Sequence, residues 1–262
     1  MDTLVDLQLY PLDQPHSDAW NDLVRQCRAR LDQNGLFNLP GFLRPEAVAT
    51  AVQEVVPVLQ DHAFTHSRLH NIYFKKSVEG LDANHPALRR FTTINHTICA
   101  DQMGNNTILR LYEWPELAVF LAAVMDKPKL HPMADPLARA NVMAYRDGEA
   151  LNWHFDRSEF TTTLLLQSAH QGGHFEYRTD LRSDDDPNYD GVARLLAGQD
   201  ENVRTVPLTA GTLNVFRGKN TAHRVSTIEG ECERIIAVYS YYERPGVVFS
   251  DEDRIRFYGR AA

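Results

Sequence analysis

The sequence is poor in cysteine and lacks long hydrophobic runs. Its three cysteines, Cys27, Cys99 and Cys232, are an odd number without paired spacing, so neither a disulfide framework nor a thiolate zinc site is predicted. No apolar stretch is long enough to span a bilayer, and the first residues lack the basic start and apolar run of a secretion signal. We therefore expect a reducing cytoplasm and no membrane partner.

A surplus of positive charge is also missing. The formal net charge is −8, which disfavours the broad basic surface that nucleic acids require, so small molecules are the expected partners. There is no linker rich in Gly, Ser or Pro and no internal repeat. A single domain over residues 1–262 is therefore predicted, and the oligomeric state is left open.

Helical periodicity dominates the first half of the chain. The apolar spacing predicts a helix over residues 17–31 with Ser17 as its N-cap, a second helix beginning at Pro45, and a third over residues 117–125. A short strand is predicted over residues 36–42. The interval 62–103 has no clear period; its polar residues could line a pocket, but mostly solvated surface is the favoured interpretation. This helical part is expected to cover about residues 1–130.

Beyond His131 the pattern changes to short segments of β-branched and aromatic residues separated by turn residues. Strands are predicted over residues 138–145, 161–167, 174–178, 203–208, 212–216, 222–225 and 234–242. Such a series without intervening helices predicts an antiparallel barrel or double-sheet sandwich over about residues 131–245. The acidic interval 183–191 lacks the Gly and terminal Glu of a calcium loop and is interpreted as a solvated loop.

The chemistry of the chain centres on the segment Asn152-Trp153-His154-Phe155-Asp156-Arg157. Within a strand His154 and Asp156 share one face, which places an imidazole beside a carboxylate. His223 opens the strand that follows the apolar segment 212–216 and is the third candidate. Two histidines and one carboxylate form the facial triad of non-haem Fe(II) oxygenases, with open positions for a chelating cosubstrate and O2.

The cosubstrate is indicated by Arg234, which opens a strongly apolar strand after His223. An inward-facing arginine is costly in such a strand unless an anion pairs with it. A guanidinium group holds a carboxylate through two parallel hydrogen bonds, and the distal carboxylate of 2-oxoglutarate meets that need. An ordinary salt bridge, for example with Glu231 or Glu233, is the alternative.

These motifs occur in a fixed order that can be compared with known families. His154-Phe155-Asp156, Gly172-Gly173-His174-Phe175, Ala210-Gly211-Thr212-Leu213 before His223-Arg224-Val225, and Arg234 together resemble the Fe(II)/2-oxoglutarate-dependent dioxygenase superfamily. The resemblance covers about residues 141–242. It implies a mainly β fold with flanking α-helices, in which a double-stranded β-helix (jelly roll) is backed by the N-terminal helices and holds iron at one mouth.

The resemblance also implies an activity. Oxidative decarboxylation of 2-oxoglutarate to succinate and CO2 is coupled to C–H oxidation of a small polar metabolite, with an amino acid as the leading expectation. A radical halogenase subgroup of the superfamily carries Gly or Ala where the carboxylate ligand would be. Residue 156 is Asp here, so hydroxylation is expected rather than chlorination, while desaturation, cyclisation and epoxidation stay open. The alternatives are a cupin-like metal enzyme without 2-oxoglutarate and a non-catalytic binding module.

Further site residues follow from position in the strands. Asn141 lies on a neighbouring strand, and Ser240 shares a strand face with Arg234, so both are predicted to bind the cosubstrate. The predicted substrate contacts are Arg157, Tyr145, His70 and Tyr242, of which Arg157 would pair with an anionic group. No catalytic residue is predicted beyond the three metal ligands.

Overall fold

The structure is a computed structural model that describes residues 1–261. Its helices are α1 (Asp18–Asn34), α2 (Pro45–His62), α3 (Thr107–Tyr112), α4 (Pro115–Val124), α5 (Tyr189–Leu196) and α6 (Asp251–Tyr258). The predicted helix starts are confirmed, since the Ser17 side chain accepts a hydrogen bond from the Trp20 amide at α1 and Pro45 begins α2. None of the helices in the described residues is long and apolar enough to cross a membrane.

The strands are mostly short, as predicted, and lie mainly in the second half of the chain. They are β1 (Leu36–Leu39), β2 (Phe64–His70), β3 (Phe91–Cys99), β4 (His131–Pro132), β5 (Ala140–Tyr145), β6 (Leu151–His154), β7 (Thr161–Gln167), β8 (Gln171–Gly172), β9 (Phe175–Arg178), β10 (Arg204–Val206), β11 (Leu213–Phe216), β12 (Ala222–Val225), β13 (Ile228–Glu229), β14 (Arg234–Tyr239) and β15 (Tyr241–Tyr242).

Two antiparallel sheets make up the centre of the fold. The major sheet has the strand order β1-β11-β7-β14-β5-β3-β2, and the minor sheet has the order β10-β9-β12-β6. Strands that are distant in sequence alternate within each sheet, which is the arrangement of a jelly roll. The predicted fold class, mainly β with flanking helices and a jelly-roll core, is confirmed.

Alternation along the major sheet separates its two faces. On β14, Ile235, Ala237 and Tyr239 belong to the large apolar core that the sheet shares with α1, α2 and α4. Arg234 and Ile236 therefore point the other way, towards the minor sheet. The space between the two sheets thus receives the side chains of β14 and its neighbours that the helices do not cover.

The interval 62–103 was wrongly interpreted as mostly solvated surface. It contains β2 and β3, which pair with each other and extend the major sheet beyond β5. The inward face of β2 carries His66, Arg68 and His70 in place of apolar residues, so no hydrophobic alternation marks it as a strand. The predicted helical part of the chain therefore also supplies three strands of the major sheet.

The acidic interval 183–191 ends in a helix that the sequence did not indicate. Asn188 caps α5 by accepting a hydrogen bond from the Gly191 amide at 3.0 Å. Ahead of the helix, the loop is held by an ion pair between Asp184 and Lys219 at 2.7 Å. The solvated loop is therefore shorter than expected.

Candidate metal centre and cosubstrate site

Strand pairing brings His154, Asp156 and His223 together. His154 ends β6 and lies directly opposite His223 on β12, with ring centroids 4.1 Å apart. Asp156 follows β6, and its Oδ1 and Oδ2 lie 3.4 Å from Nε2 of His154 and 3.4 Å from Nε2 of His223, respectively. One ligand atom from each residue lies within 4.8 Å of the other two, which is a spacing that one metal ion can bridge.

Hydrogen bonds orient both imidazole rings towards this centre. Nδ1 of His154 contacts the Asn152 carbonyl at 2.8 Å, and Nδ1 of His223 contacts the Thr221 carbonyl at 3.0 Å. A carbonyl only accepts, so each Nδ1 carries the proton and each Nε2 presents its lone pair to the centre. The Thr161 hydroxyl donates to Oδ2 of Asp156 at 2.5 Å and so fixes the third group.

The electrostatics of the centre favour the protonation states that a metal ion needs. Burial lowers the pKa of His154, and the neighbouring His223 lowers it further, so His154 is neutral near pH 7. Burial acts to raise the pKa of Asp156, but His223 and His154 outweigh it and hold this pKa well below its ordinary value. The donor set is therefore a neutral histidine and an ionised carboxylate beside His223, which fits Fe(II).

Arg234 is buried without an anionic partner. Only 2% of its surface is exposed, and its Nε donates to the Gly173 carbonyl at 3.1 Å. Its Nη1 has no hydrogen-bond partner, and no carboxylate among residues 1–261 lies within 4.0 Å of the guanidinium. Burial lowers the pKa of Arg234 to about 10, so it is charged at neutral pH. An unpaired buried charge of this kind fits a site for the carboxylate of 2-oxoglutarate.

The alternative salt bridge for Arg234 is absent from the described residues. Glu233 instead accepts a hydrogen bond from Nε of Arg146 at 2.7 Å, on the exposed side of the sheet. A Cβ atom on Gly173 would fall 3.1 Å from Cδ of Arg234, so a glycine at this position leaves room for the arginine stem. Gly173 also has a φ of +65°, which favours glycine.

Comparison with protein families gives an independent assignment. Residues 19–247 match the model of a family described as Halogenase D. The chain belongs to the Halogenase D family. This family falls within the Fe(II)/2-oxoglutarate-dependent oxygenases, so the predicted superfamily is confirmed. A search of curated proteins gave no match.

Solved structures show the same fold at low sequence identity. A 2OG-Fe(II) oxygenase family oxidoreductase from Burkholderia pseudomallei has 17% identity and a TM-score of 0.52, over 86% of this chain and 92% of that one. AviO1 from Streptomyces viridochromogenes has 17% identity and a TM-score of 0.57, over 85% and 96%. HygX from Streptomyces hygroscopicus, with nickel and 2-oxoglutarate bound, has 14% identity and a TM-score of 0.53, over 83% and 86%.

Membership of the Halogenase D family defines the enzyme class. The chain is an oxidoreductase of the Fe(II)/2-oxoglutarate-dependent type, with Fe(II), 2-oxoglutarate and O2 as its metal, cosubstrate and oxidant. The cupin-like enzyme without 2-oxoglutarate and the non-catalytic module are therefore set aside. The binding roles of individual residues, the substrate and the reaction outcome are matters for proposal.

The two further residues predicted to bind cosubstrate lie away from Arg234. Nδ2 of Asn141 donates to the Leu137 carbonyl at 2.9 Å, and its Oδ1 accepts from the Tyr258 hydroxyl at 3.0 Å, so its polar atoms already have partners. Ser240 follows the last residue of β14, at the end opposite Arg234, which is about 20 Å along an extended strand. The structure does not bring Ser240 to Arg234, because residues that share a strand face can still be far apart along it.

The predicted substrate contacts lie in three places. Tyr145 lies directly opposite Arg234 on β5, and burial raises its pKa to about 12, so it is a neutral group next to the buried guanidinium. His70 is buried, with Nδ1 on the Asn71 carbonyl and Nε2 on the Thr93 hydroxyl, so neither nitrogen is available to a ligand. Arg157 and Tyr242 lie near α6: Arg157 pairs with Asp253, and Tyr242 packs against the apolar cluster that contains Tyr258.

Two residues of the centre were missed in the sequence. Besides Thr161, Gly218 touches Asp156: the Asp156 amide donates to the Gly218 carbonyl at 3.0 Å, and a Cβ on Gly218 would fall 2.8 Å from Cβ of Asp156. Gly218 lies in the loop before His223, where a glycine reads as an ordinary turn residue. Thr161 reads as an ordinary strand residue, so no local signal could have identified either one.

Proposed function

We propose that this member of the Halogenase D family hydroxylates an unactivated C–H bond of a small polar metabolite, with an amino acid as the leading candidate. The observation that carries the proposal is the Asp156 carboxylate, held between His154 and His223 by the Thr161 hydroxyl and the Gly218 backbone. A carboxylate in this position fills the coordination site that a halide would need. Free cysteines support a reducing cytoplasm as the compartment.

In this proposal His154, Asp156 and His223 hold the iron through two Nε2 atoms and one carboxylate oxygen. When bound, iron and 2-oxoglutarate would supply, with O2, the oxidising equivalent that C–H oxidation requires, and 2-oxoglutarate would be converted to succinate and CO2. The carbonyl partners of the two Nδ1 atoms prevent the rings from rotating away. The Thr161 hydroxyl keeps one Asp156 oxygen occupied, which favours coordination through the other oxygen.

Arg234 orients the cosubstrate. Arg234 is the first residue of β14, and its buried Nη1 has no hydrogen-bond partner. A molecule of 2-oxoglutarate placed here would have its distal carboxylate on the arginine and its 2-oxo acid end directed towards the triad. Tyr145, opposite Arg234, supplies a neutral hydroxyl beside that carboxylate. The surrounding apolar residues Leu165, Ile228 and Ile236 keep water from the ion pair.

The first experiment is anaerobic reconstitution with Fe(II) and 2-oxoglutarate, followed by visible spectroscopy. Wild-type protein should show the weak charge-transfer band of the iron chelate, and Arg234→Gln should need about tenfold or more cosubstrate to reach the same intensity. Arg146→Gln, which removes an exposed arginine directly after β5, is the control and should behave like wild type. Bound iron without a band at any cosubstrate concentration would refute the proposed cosubstrate site.

Halogenation is the second candidate, because the family description names a halogenase. The two outcomes are separated by supplying chloride during turnover with an amino-acid panel and analysing products by mass. Wild type should add oxygen and no chlorine. Asp156→Gly removes the carboxylate and opens its site, so this variant should lose efficient hydroxylation while keeping cosubstrate binding through Arg234. Chlorinated product from wild type would overturn the proposal.

A further inference from the structure

Three arginines from three separate elements lie near one another where α6 packs against β2. Arg68 is on the inward face of β2, Arg157 directly follows Asp156, and Arg256 is on α6. We refer to these three residues as the arginine cluster. Helix α6 is held against β2 by close packing, since a Cβ on Gly259 would fall 2.6 Å from Cδ2 of Phe64. The cluster therefore belongs to the same end of the jelly roll as the metal centre.

Arg68 is linked to the metal centre through one aromatic ring. Its guanidinium carbon lies 4.6 Å from the centroid of the Phe74 ring, and that ring lies 6.1 Å from the ring of His154. Phe74 also stacks on His70 at 4.4 Å, which fixes its position. A cation–π contact therefore holds the Arg68 guanidinium on the inward side of β2, where only the Phe74 ring separates it from the candidate iron ligand His154.

Arg157 is held on α6. Its Nη1 lies 3.1 Å from Oδ1 of Asp253, and its guanidinium carbon lies 5.4 Å from the ring centroid of Phe257, both near α6. This contact fixes α6 relative to the loop that carries Asp156. Arg256, on the same helix, is thereby brought towards β2.

The cluster has more positive charge than its neighbours neutralise. Among residues 1–261, Asp253 pairs with Arg157, whereas no carboxylate lies within 4.0 Å of Arg68 or Arg256. Burial lowers the pKa of Arg68, and the charges of Arg256 and Arg157 lower it further. His66, on the same face of β2, has a buried Nδ1 without a partner. Like charges placed together at a partly buried site cost free energy unless an anion joins them.

We propose that the arginine cluster is the subsite for an oxyanion group of the substrate, a carboxylate or a phosphate, which Arg68 and Arg256 bind while the remainder of the molecule extends past Phe74 towards the metal centre. This inference rests on the proposed function, because it names the substrate class of the same site. A guanidinium pair suits either oxyanion, since both present two oxygens to two N–H donors.

Part of the cluster lies outside the residues that match the family model. The Halogenase D match ends at residue 247, whereas Arg256, Phe257 and the Asp253 partner of Arg157 lie beyond it on α6. The residues that α6 contributes to the proposed subsite therefore lie outside the matched residues. Substrate choice is a property that such a segment can set without altering the metal centre.

The test uses the full chain and two probe anions, inorganic phosphate and acetate, titrated calorimetrically at constant ionic strength. The protein is measured metal-free and after anaerobic loading with Fe(II) and 2-oxoglutarate. Wild type should bind at least one probe saturably. Arg68→Gln and Arg256→Gln should each weaken it by about tenfold, while Arg110→Gln, an exposed arginine on α3, should not. Because Arg256 is exposed on a surface helix, its replacement leaves the core intact.

A second arm separates the two oxyanions. Candidate substrates are compared with their neutral amides or dephosphorylated forms, using substrate-stimulated succinate formation as the signal. The member of each pair that keeps the oxyanion should give the higher rate, and the preferred oxyanion identifies the class. The Arg256→Gln variant should raise KM for it with little change in kcat.

Three results would overturn the inference. These are no saturable probe binding by wild type, unchanged affinity in both cluster variants, and probe binding that Arg234→Gln alone abolishes, which would place the anion in the cosubstrate site. Failure of the proposed function is separate, because it appears as a missing chelate band. Phosphate binding by the metal-free protein does not depend on that band.

Discussion

At the residue scale, the metal centre depends on what surrounds Asp156 as much as on Asp156 itself. The carboxylate is the group that separates the expected hydroxylation from halogenation, and its geometry is set by a hydroxyl on β7 and a glycine before β12. Both neighbours come from other parts of the chain. Replacing them tests the centre without removing a ligand.

Thr161→Val keeps the shape of the side chain and removes the hydrogen bond to Asp156. Iron affinity should fall about 10- to 100-fold, because partners of a ligating group fix its orientation. Competition with a colorimetric Fe(II) chelator measures this. Thr163→Val, two residues further along the same face of β7, is the matched control and should keep wild-type affinity. Equal Fe(II) affinities in the two variants would show that the Thr161 hydroxyl does not support the metal ligand Asp156.

Gly218→Ala should weaken iron binding only while Asp156 is present. The added methyl group would overlap the Asp156 side chain and push the carboxylate from its position. In an Asp156→Gly background the methyl group has room, so adding Gly218→Ala there should leave cosubstrate binding unchanged. A double-mutant cycle on Fe(II) or 2-oxoglutarate affinity isolates this coupling. Additive effects in the cycle would contradict the packing argument.

At the scale of elements, a buried carboxylate links the jelly roll to α6. Asp135 has no exposed surface and accepts hydrogen bonds from the amides of Leu137, Ala138 and Phe249. Its Oδ2 also accepts from Nε of Arg254 on α6 at 2.9 Å. Burial acts to raise the pKa of Asp135, but these donors outweigh it and hold the pKa below its ordinary value.

Asp135→Asn should release α6 while leaving the β core folded. The substitution removes the charge that holds Arg254 and should cost about 2 to 3 kcal/mol of local stability, seen as faster hydrogen exchange over residues 247–259. Asp251→Asn removes the other partner of Arg254, at 3.0 Å on the exposed side of the helix, and should cost under about 1 kcal/mol. Equal exchange in the two variants would show that Asp135 does not fasten the helix.

At the scale of the whole molecule, the cavity end of the fold combines buried histidines with unpaired arginines. Burial lowers the pKa of His70 to about 4, compared with an ordinary value of 6.5. Between pH 4 and 6.5 the imidazole of His70 is protonated in the unfolded chain but neutral in the folded chain. The contribution of His70 to stability is therefore fully present above pH 6.5 and is lost as the pH falls towards 4.

His70→Gln should flatten the fall in stability between pH 6.5 and 4. Urea unfolding of metal-free protein across this range measures the slope of the free energy of unfolding against pH. The slope gives the number of protons taken up on unfolding. In the variant this number should be smaller by up to about one, because glutamine does not titrate. His62→Gln, at an exposed position at the end of α2, serves as control. An unchanged slope in His70→Gln would mean that His70 is protonated equally in both states.

The sequence by itself determined the residue types of the centre and the class of fold. Local strand geometry places His154 and Asp156 on one side. The hydrophobic patterns of the second half correctly predict most of its strands. Arg234 was identified because a charge in an apolar strand needs a partner, which is a statement about burial and not about distance. Such inferences need only neighbours in the chain, and the binding roles of these residues stay predictions.

Contacts between residues far apart in sequence became visible only in the folded chain. β2 escaped detection because its inward face lines the cavity with polar residues, so no hydrophobic alternation remained to mark it. Ser240 was placed with Arg234 because alternation reports the face of a strand but not the distance along it. Thr161 and Gly218 contact Asp156. The docking of α6 brings Arg157 and Arg256 close enough to Arg68 for their charges to act on it. Those contacts join residues far apart in sequence, where no periodic pattern carries information.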